Sequence, residues 1–103
     1  MIRLLLVDDQ TLVRQGFRVL LETSEDIQVV GEAADGKQAL QQVEALQPDI
    51  VLLDVRMPEV DGVAAAQLIC QHFAGVKVLM LSTFDDEDYI CRAMQYGASG
   101  YLL

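Results

Sequence analysis

The sequence predicts an α/β domain: a parallel sheet of five strands with helices on both faces. Three observations predict it. Apolar runs without polar alternation recur, as in Leu4-Leu5-Leu6-Val7, Ile50-Val51-Leu52-Leu53 and Val78-Leu79-Met80-Leu81, the pattern of strands buried on both faces. Segments with apolar residues at helical spacing separate these runs. The length of 103 residues suits one domain, and 52% hydrophobic residues exclude a disordered composition.

The elements follow in order. Ile2 to Val7 is the first strand, and Val13, Phe17, Leu20 and Leu21 then recur at helical spacing. Ile27 to Ala33, rich in Val and Ile, reads as a strand. Ala39, Leu40, Val43 and Leu46 share a helical face, and this helix stops near Gln47 because Pro48 disfavours helical geometry in the residue before it. Ile50 to Leu53 is a strand. After the Met57-Pro58 turn, Asp61 can cap a helix that carries Val63, Ala66, Cys70 and Phe73 inward, with Gly75 placed to end it. Val76 to Leu81 is the next strand. Thr83 and Asp85 are capping candidates for a helix with Tyr89, Ile90, Ala93, Met94 and Gly97. The acidic cluster Asp85-Asp86-Glu87-Asp88 sits at its start, where the helix dipole favours negative charge. Gly100 to Leu103 is a last short strand. The order is βαβαβαβαβ, and right-handed crossovers leave few topologies for it. The flavodoxin-like strand order 2-1-3-4-5 fits, with its switch point between the first and third strands, where ligands bind outside the carboxyl ends.

Composition excludes several functions. Lys plus Arg is 7 against 16 Asp plus Glu, a formal charge of −9, which argues against this domain itself gripping a phosphate backbone. No apolar run approaches the roughly 20 residues of a membrane-spanning helix. The N-terminus reaches Asp8-Asp9 after a short apolar run and so does not read as a signal peptide. Cys70 and Cys91 form no C-x-x-C pair and read as ordinary part-buried thiols of a reducing, cytoplasmic protein.

The predicted crevice is acidic. The first strand ends in Asp8-Asp9, the third in Asp54, and the fourth in Ser82-Thr83. An isolated Asp at a strand end is most simply a helix cap. Three carboxylates converging on one crevice are not. Crowded carboxylates resist ionising together, and a hard divalent cation relieves them. Mg²⁺ suits a few carboxylates with waters and phosphate oxygens. Asp54 follows the most buried strand directly, so it is the best-placed nucleophile for forming an aspartyl phosphate.

These residues are familiar together. Leu-Leu-Val-Asp8-Asp9, Leu-Leu-Asp54-Val-Arg-Met-Pro58 with Asp61-Gly62, Val-Leu-Met-Leu-Ser82 and Gly97-Ala-Ser-Gly-Tyr101-Leu-Leu resemble the receiver domain of two-component response regulators. The resemblance spans the chain, which reads as one receiver domain over residues 1–103. The segments Asp9-Gln-Thr-Leu-Val-Arg-Gln-Gly-Phe and Gly-Glu-Ala-Ala-Asp-Gly resemble the NarL/LuxR type, whose members usually carry a helix-turn-helix DNA-binding domain. The resemblance implies Asp54 as phospho-acceptor and Mg²⁺ held by the side chains of Asp9 and Asp54 and the backbone carbonyl of Arg56. It implies that Asp8 reaches the metal through water. Ser82 matches the switch hydroxyl and Tyr101 the aromatic switch. Arg56 and Phe84 match variable positions that influence the lifetime of the phosphoryl group.

The implied partners are a sensor histidine kinase, a second copy on activation, and DNA only through an output domain absent from the chain, with no membrane involved. The implied role is a signalling acceptor with self-catalysed phosphotransfer, not an enzyme acting on a separate substrate. His72 is read as a surface residue and not a phosphoryl donor. The family places a Lys and a fifth helix after the last strand; the chain stops at Leu103 before both, so the domain reads as C-terminally incomplete. A phosphatase of the haloacid dehalogenase type also uses an Asp after a buried strand, but wants a second Asp two residues on, where this chain has Arg56. A module that had lost phosphorylation would not need Asp8, Asp9, Asp54 and Ser82 together. Neither G-x-G-x-x-G nor a P-loop occurs, which argues against a dinucleotide or flavin role.

Overall fold

A computed structural model describes residues 1–54, 62–81, 98 and 100–102, with 62, 63, 101 and 102 described through their backbone. The strands are β1 (Ile2–Val7), β2 (Ile27–Ala33), β3 (Ile50–Asp54), β4 (Lys77–Leu81) and β5 (Gly100–Leu102). The helices are α1 (Thr11–Glu22), α2 (Gly36–Leu46) and α3 (Gly62–His72). All strand pairs are parallel, in the order β2-β1-β3-β4-β5. This is the predicted sheet. The predicted fourth helix, from its Thr83 and Asp85 caps through Gly97, lies outside the described residues, as do the Met57-Pro58 turn, the Asp61 cap, Cys91 and Leu103.

The unbroken apolar runs divide between two cores because successive strand residues face opposite sides. Leu5, Val7, Val51, Leu53, Val78 and Met80 face Ala39 and Val43 of α2 and Ala65, Ala66 and Ile69 of α3. Leu4, Leu6, Val29 and Leu52 form the other core, with Phe17 and Leu21 of α1 against them. Both faces are thus filled, and β1 and β3 are held rigidly from above and below.

Two helix faces differ from the expectation. Leu20 is 65% exposed although it shares the helical spacing of Phe17 and Leu21. It lies about 100° round the helix from Leu21 and so off the stripe that meets the sheet. On α3 the inward face includes the fully buried Ala65 and Ile69 beside Ala66, Cys70 and Phe73. The face is therefore broader than the predicted set; the side chain of Val63 lies outside the description. Gly75 sits in the turn after α3 without the left-handed φ of a helix-ending glycine. The turn closes by the Val76 N–H donating to the Phe73 carbonyl at 3.0 Å.

The termini of α2 are built by side chains and backbone together. Asp35 accepts the Gln38 N–H at 2.8 Å, and the Gln38 side chain accepts the Ala34 N–H at 2.8 Å, a reciprocal cap. The helix ends as predicted before Pro48. Gln47, however, takes the left-handed conformation (φ 47°, ψ 61°) and not the extended one expected before proline. Its N–H closes the last turn onto the Val43 carbonyl at 2.9 Å, the geometry of a left-handed cap. On the edge strand, the register steps from Leu4 opposite Val29 to Leu5 opposite Gly31, a bulge at Val30. A Cβ at Gly31 would stand 2.7 Å from Leu46 Cδ1, so the glycine lets α2 close down on β2. No helix among the described residues is long and apolar enough to cross a membrane.

Candidate functional site

The site lies where two central strands end side by side. Val7 pairs with Leu53 in the β1–β3 register, so the next residues, Asp8 and Asp54, emerge together at the rim. Asp9 follows Asp8 in the turn to α1. Carboxylate oxygens of Asp8, Asp9 and Asp54 all lie within 4.8 Å of one another. Asp8 is 5% exposed and is the only buried charged side chain among the described residues. Asp9 is exposed and Asp54 half-buried. The predicted convergence of the three carboxylates is present.

Asp8 is fixed through every polar group of its main chain and through its carboxylate. Its N–H donates to the Ala33 carbonyl of β2 at 3.1 Å. Its Oδ1 accepts the Gln10 N–H at 2.9 Å. Its carbonyl accepts Nη1 of Arg14 at 2.6 Å. Burial pushes the Asp8 carboxyl above the usual carboxylate range, against the Gln10 N–H, and the neighbouring Asp9 adds to the rise while Arg14 opposes it. The chemistry of this donor set fits a hard divalent cation. It offers carboxylate oxygens only, on an open rim, with one acid whose ionised form is costly until a positive charge arrives.

The other predicted residues are placed less fully. β4 brings Leu81 opposite Asp54; Ser82, next in sequence, lies outside the described residues, as do Arg56 and Phe84. Tyr101 is paired with Met80 in β5, its side chain undescribed. His72 is exposed at the last position of α3, as expected. Cys70 is free and half-buried, and burial pushes its thiol up, which suits packing.

Sequence reasoning missed the basic side of the site. Arg14 Nε pairs with Glu32 Oε1 at 3.3 Å, and Arg18 Nη1 with Glu32 Oε2 at 2.6 Å. A signal for it existed. A cation in the first turn of a helix opposes the dipole, and Glu32 is the only acid in a β-branched strand; each needs a partner.

Residues 4–103 match the response regulator receiver domain family. The chain belongs to that family. The receiver domain is 46% identical over 103 residues to the transcriptional regulatory protein LnrK of Bacillus subtilis, covering all of this chain and 47% of LnrK. It is 41% identical over 102 residues to the transcriptional regulatory protein DegU of Brevibacillus brevis, covering 99% of this chain and 43% of DegU. The receiver domain therefore spans about half the length of the curated relatives it matches. Among solved structures, the signal receiver domain of the putative response regulator NarL from Mycobacterium tuberculosis superposes with a TM-score of 0.92 at 39% identity, covering 99% of this chain and 82% of that one. The subfamily is the NarL/LuxR type, as the sequence resemblance implied.

Proposed function

We propose that this receiver domain accepts a phosphoryl group on Asp54 from the phosphohistidine of a sensor histidine kinase. The observation that carries the proposal is the cluster of Asp8, Asp9 and Asp54 at the ends of two rigid central strands. A carboxylate oxygen of Asp54 attacks phosphorus. The P–N bond to the kinase imidazole breaks, the freed nitrogen takes a proton, and an aspartyl phosphate remains.

Asp8, Asp9 and Asp54, with the backbone carbonyl of Arg56, would hold Mg²⁺. When bound, the ion neutralises charge on the phosphoryl oxygens and on the crowded carboxylates. The backbone that carries Asp54 is well anchored, because β3 is buried on both faces from Val51 to Leu53. The added charge then draws in the Ser82 hydroxyl, and Tyr101 follows. That shifts an equilibrium between two conformations of the domain. Joined to a DNA-binding output domain, the domain would use the shift to control homodimerisation and that output domain in the cytoplasm.

Phosphotransfer from a labelled, phosphorylated histidine kinase tests the reading. Label should move to the wild-type domain and not to Asp54→Asn. Equal transfer to Asp54→Asn would overturn it.

A further inference from the structure

We infer that Arg14 is a positioning residue for the cation-binding turn, holding Asp8 and Asp9 in register with Asp54; the inference rests on the function proposed above. Both main-chain polar groups of Asp8 are held, the N–H by β2 directly and the carbonyl by Arg14, which is itself tied to β2. Its N–H donates to the carbonyl of Ala33 at 3.1 Å. Its carbonyl accepts Arg14 Nη1 at 2.6 Å, and the same guanidinium is tied through Nε to the carboxylate of Glu32, the residue before Ala33, at 3.3 Å. A third contact runs from Nη2 to the Thr11 hydroxyl at 3.2 Å. The Arg14 side chain is 14% exposed and therefore well confined. Only a planar fork with several donors satisfies these partners together.

The placement is otherwise unfavourable. A cation in the first turn of α1 opposes the helix dipole, and a positive charge bonded to Asp8, one of the three clustered acids, competes with an incoming cation. Two consequences of Arg14 thus have opposite signs. As a bare charge it weakens Mg²⁺ binding. As a clamp on the turn it strengthens binding by holding the ligands where the ion needs them.

The sign decides the matter. Mg²⁺ alone is titrated into wild type, Arg14→Gln and Arg14→Lys by calorimetry, with circular dichroism confirming that each variant is folded. A clamp predicts affinity about tenfold weaker in both variants. A bare charge predicts tighter binding in Arg14→Gln and no change in Arg14→Lys, and either result overturns the inference. A second readout needs no metal. The Gln10 amide, bonded to Asp8 Oδ1, should exchange faster with solvent in both variants than in wild type, and unchanged exchange overturns the clamp even if a variant is destabilised overall. Should wild type itself show no saturable Mg²⁺ binding, the proposed function fails and the inference with it; saturable binding that the variants leave intact removes the inference alone.

Discussion

Arg3 and Asp49 are joined reciprocally: the Arg3 N–H donates to the Asp49 carboxylate at 2.8 Å, and the Asp49 N–H donates to the Arg3 carbonyl at 2.8 Å. Asp49 also accepts the Lys77 N–H on its carbonyl at 3.0 Å. The Arg3 guanidinium reaches the Gln47 carbonyl at 3.0 Å. One exposed Asp therefore ties together the starts of β1, β3 and β4, at the end of the sheet opposite the carboxylate cluster. Asp49→Ala should lower stability by about 1 kcal/mol, read as a lower urea midpoint. Its Mg²⁺ affinity should match wild type, since the lesion is at the far end of the strands.

Asp8 predicts a dependence on pH and metal together. Its carboxyl is raised in the folded state, so folding favours the protonated form. The stabilising effect is fully present below the unfolded value of about 3.9 and is lost as pH rises through the folded value. At neutral pH the ionised group destabilises the metal-free domain. Asp8→Asn should then gain stability of order 1 kcal/mol at pH 7 in EDTA. The gain should shrink as pH falls toward 4. Urea unfolding at several pH values checks both, and a loss of stability at pH 7 would contradict the account.

The same crowding makes Mg²⁺ a stabilising ligand. At one hundred times its dissociation constant it should add about 2.7 kcal/mol to unfolding. Asp54→Asn and Asp8→Asn should reduce that increment. An increment unchanged in both variants would place the ion elsewhere on this acidic surface.

Gln47 is the one residue other than glycine with positive φ among the described residues, at 47°. Left-handed geometry costs an ordinary residue roughly 1–2 kcal/mol. Gln47→Gly should therefore stabilise by about 0.5–1 kcal/mol. Gln47→Val should destabilise, because a β-branched side chain tolerates this conformation least. Thermal unfolding of the pair checks the sign of each.

These features differ in how far the sequence reveals them. The two-sided burial of β1 and β3 is plain in Leu4 to Val7 and Ile50 to Leu53, since only a strand covered on both faces is apolar at every position. Topology then carries the argument from sequence to site: once β1 and β3 are neighbours, Asp8, Asp9 and Asp54 must meet at their carboxyl ends. What local pattern cannot supply is long-range pairing. Arg14 and Glu32 are 18 residues apart, and nothing between them announces the contact. The Arg3–Asp49 tie, 46 residues apart, is hidden for the same reason. The conformation of Gln47 also escapes local rules, because closing the last turn of α2 outweighs the steric preference that Pro48 imposes. Leu20 and Ile69 show the limit of helical spacing, which finds a stripe but not its edges.

The most direct test of the central claim is the mass of the intact protein after incubation with acetyl phosphate and Mg²⁺, carried out on this chain and on the protein as encoded. The account predicts a gain of one phosphoryl group in the wild type, abolished by EDTA and absent in Asp54→Asn. No gain in either form, or an equal gain in Asp54→Asn, would contradict it.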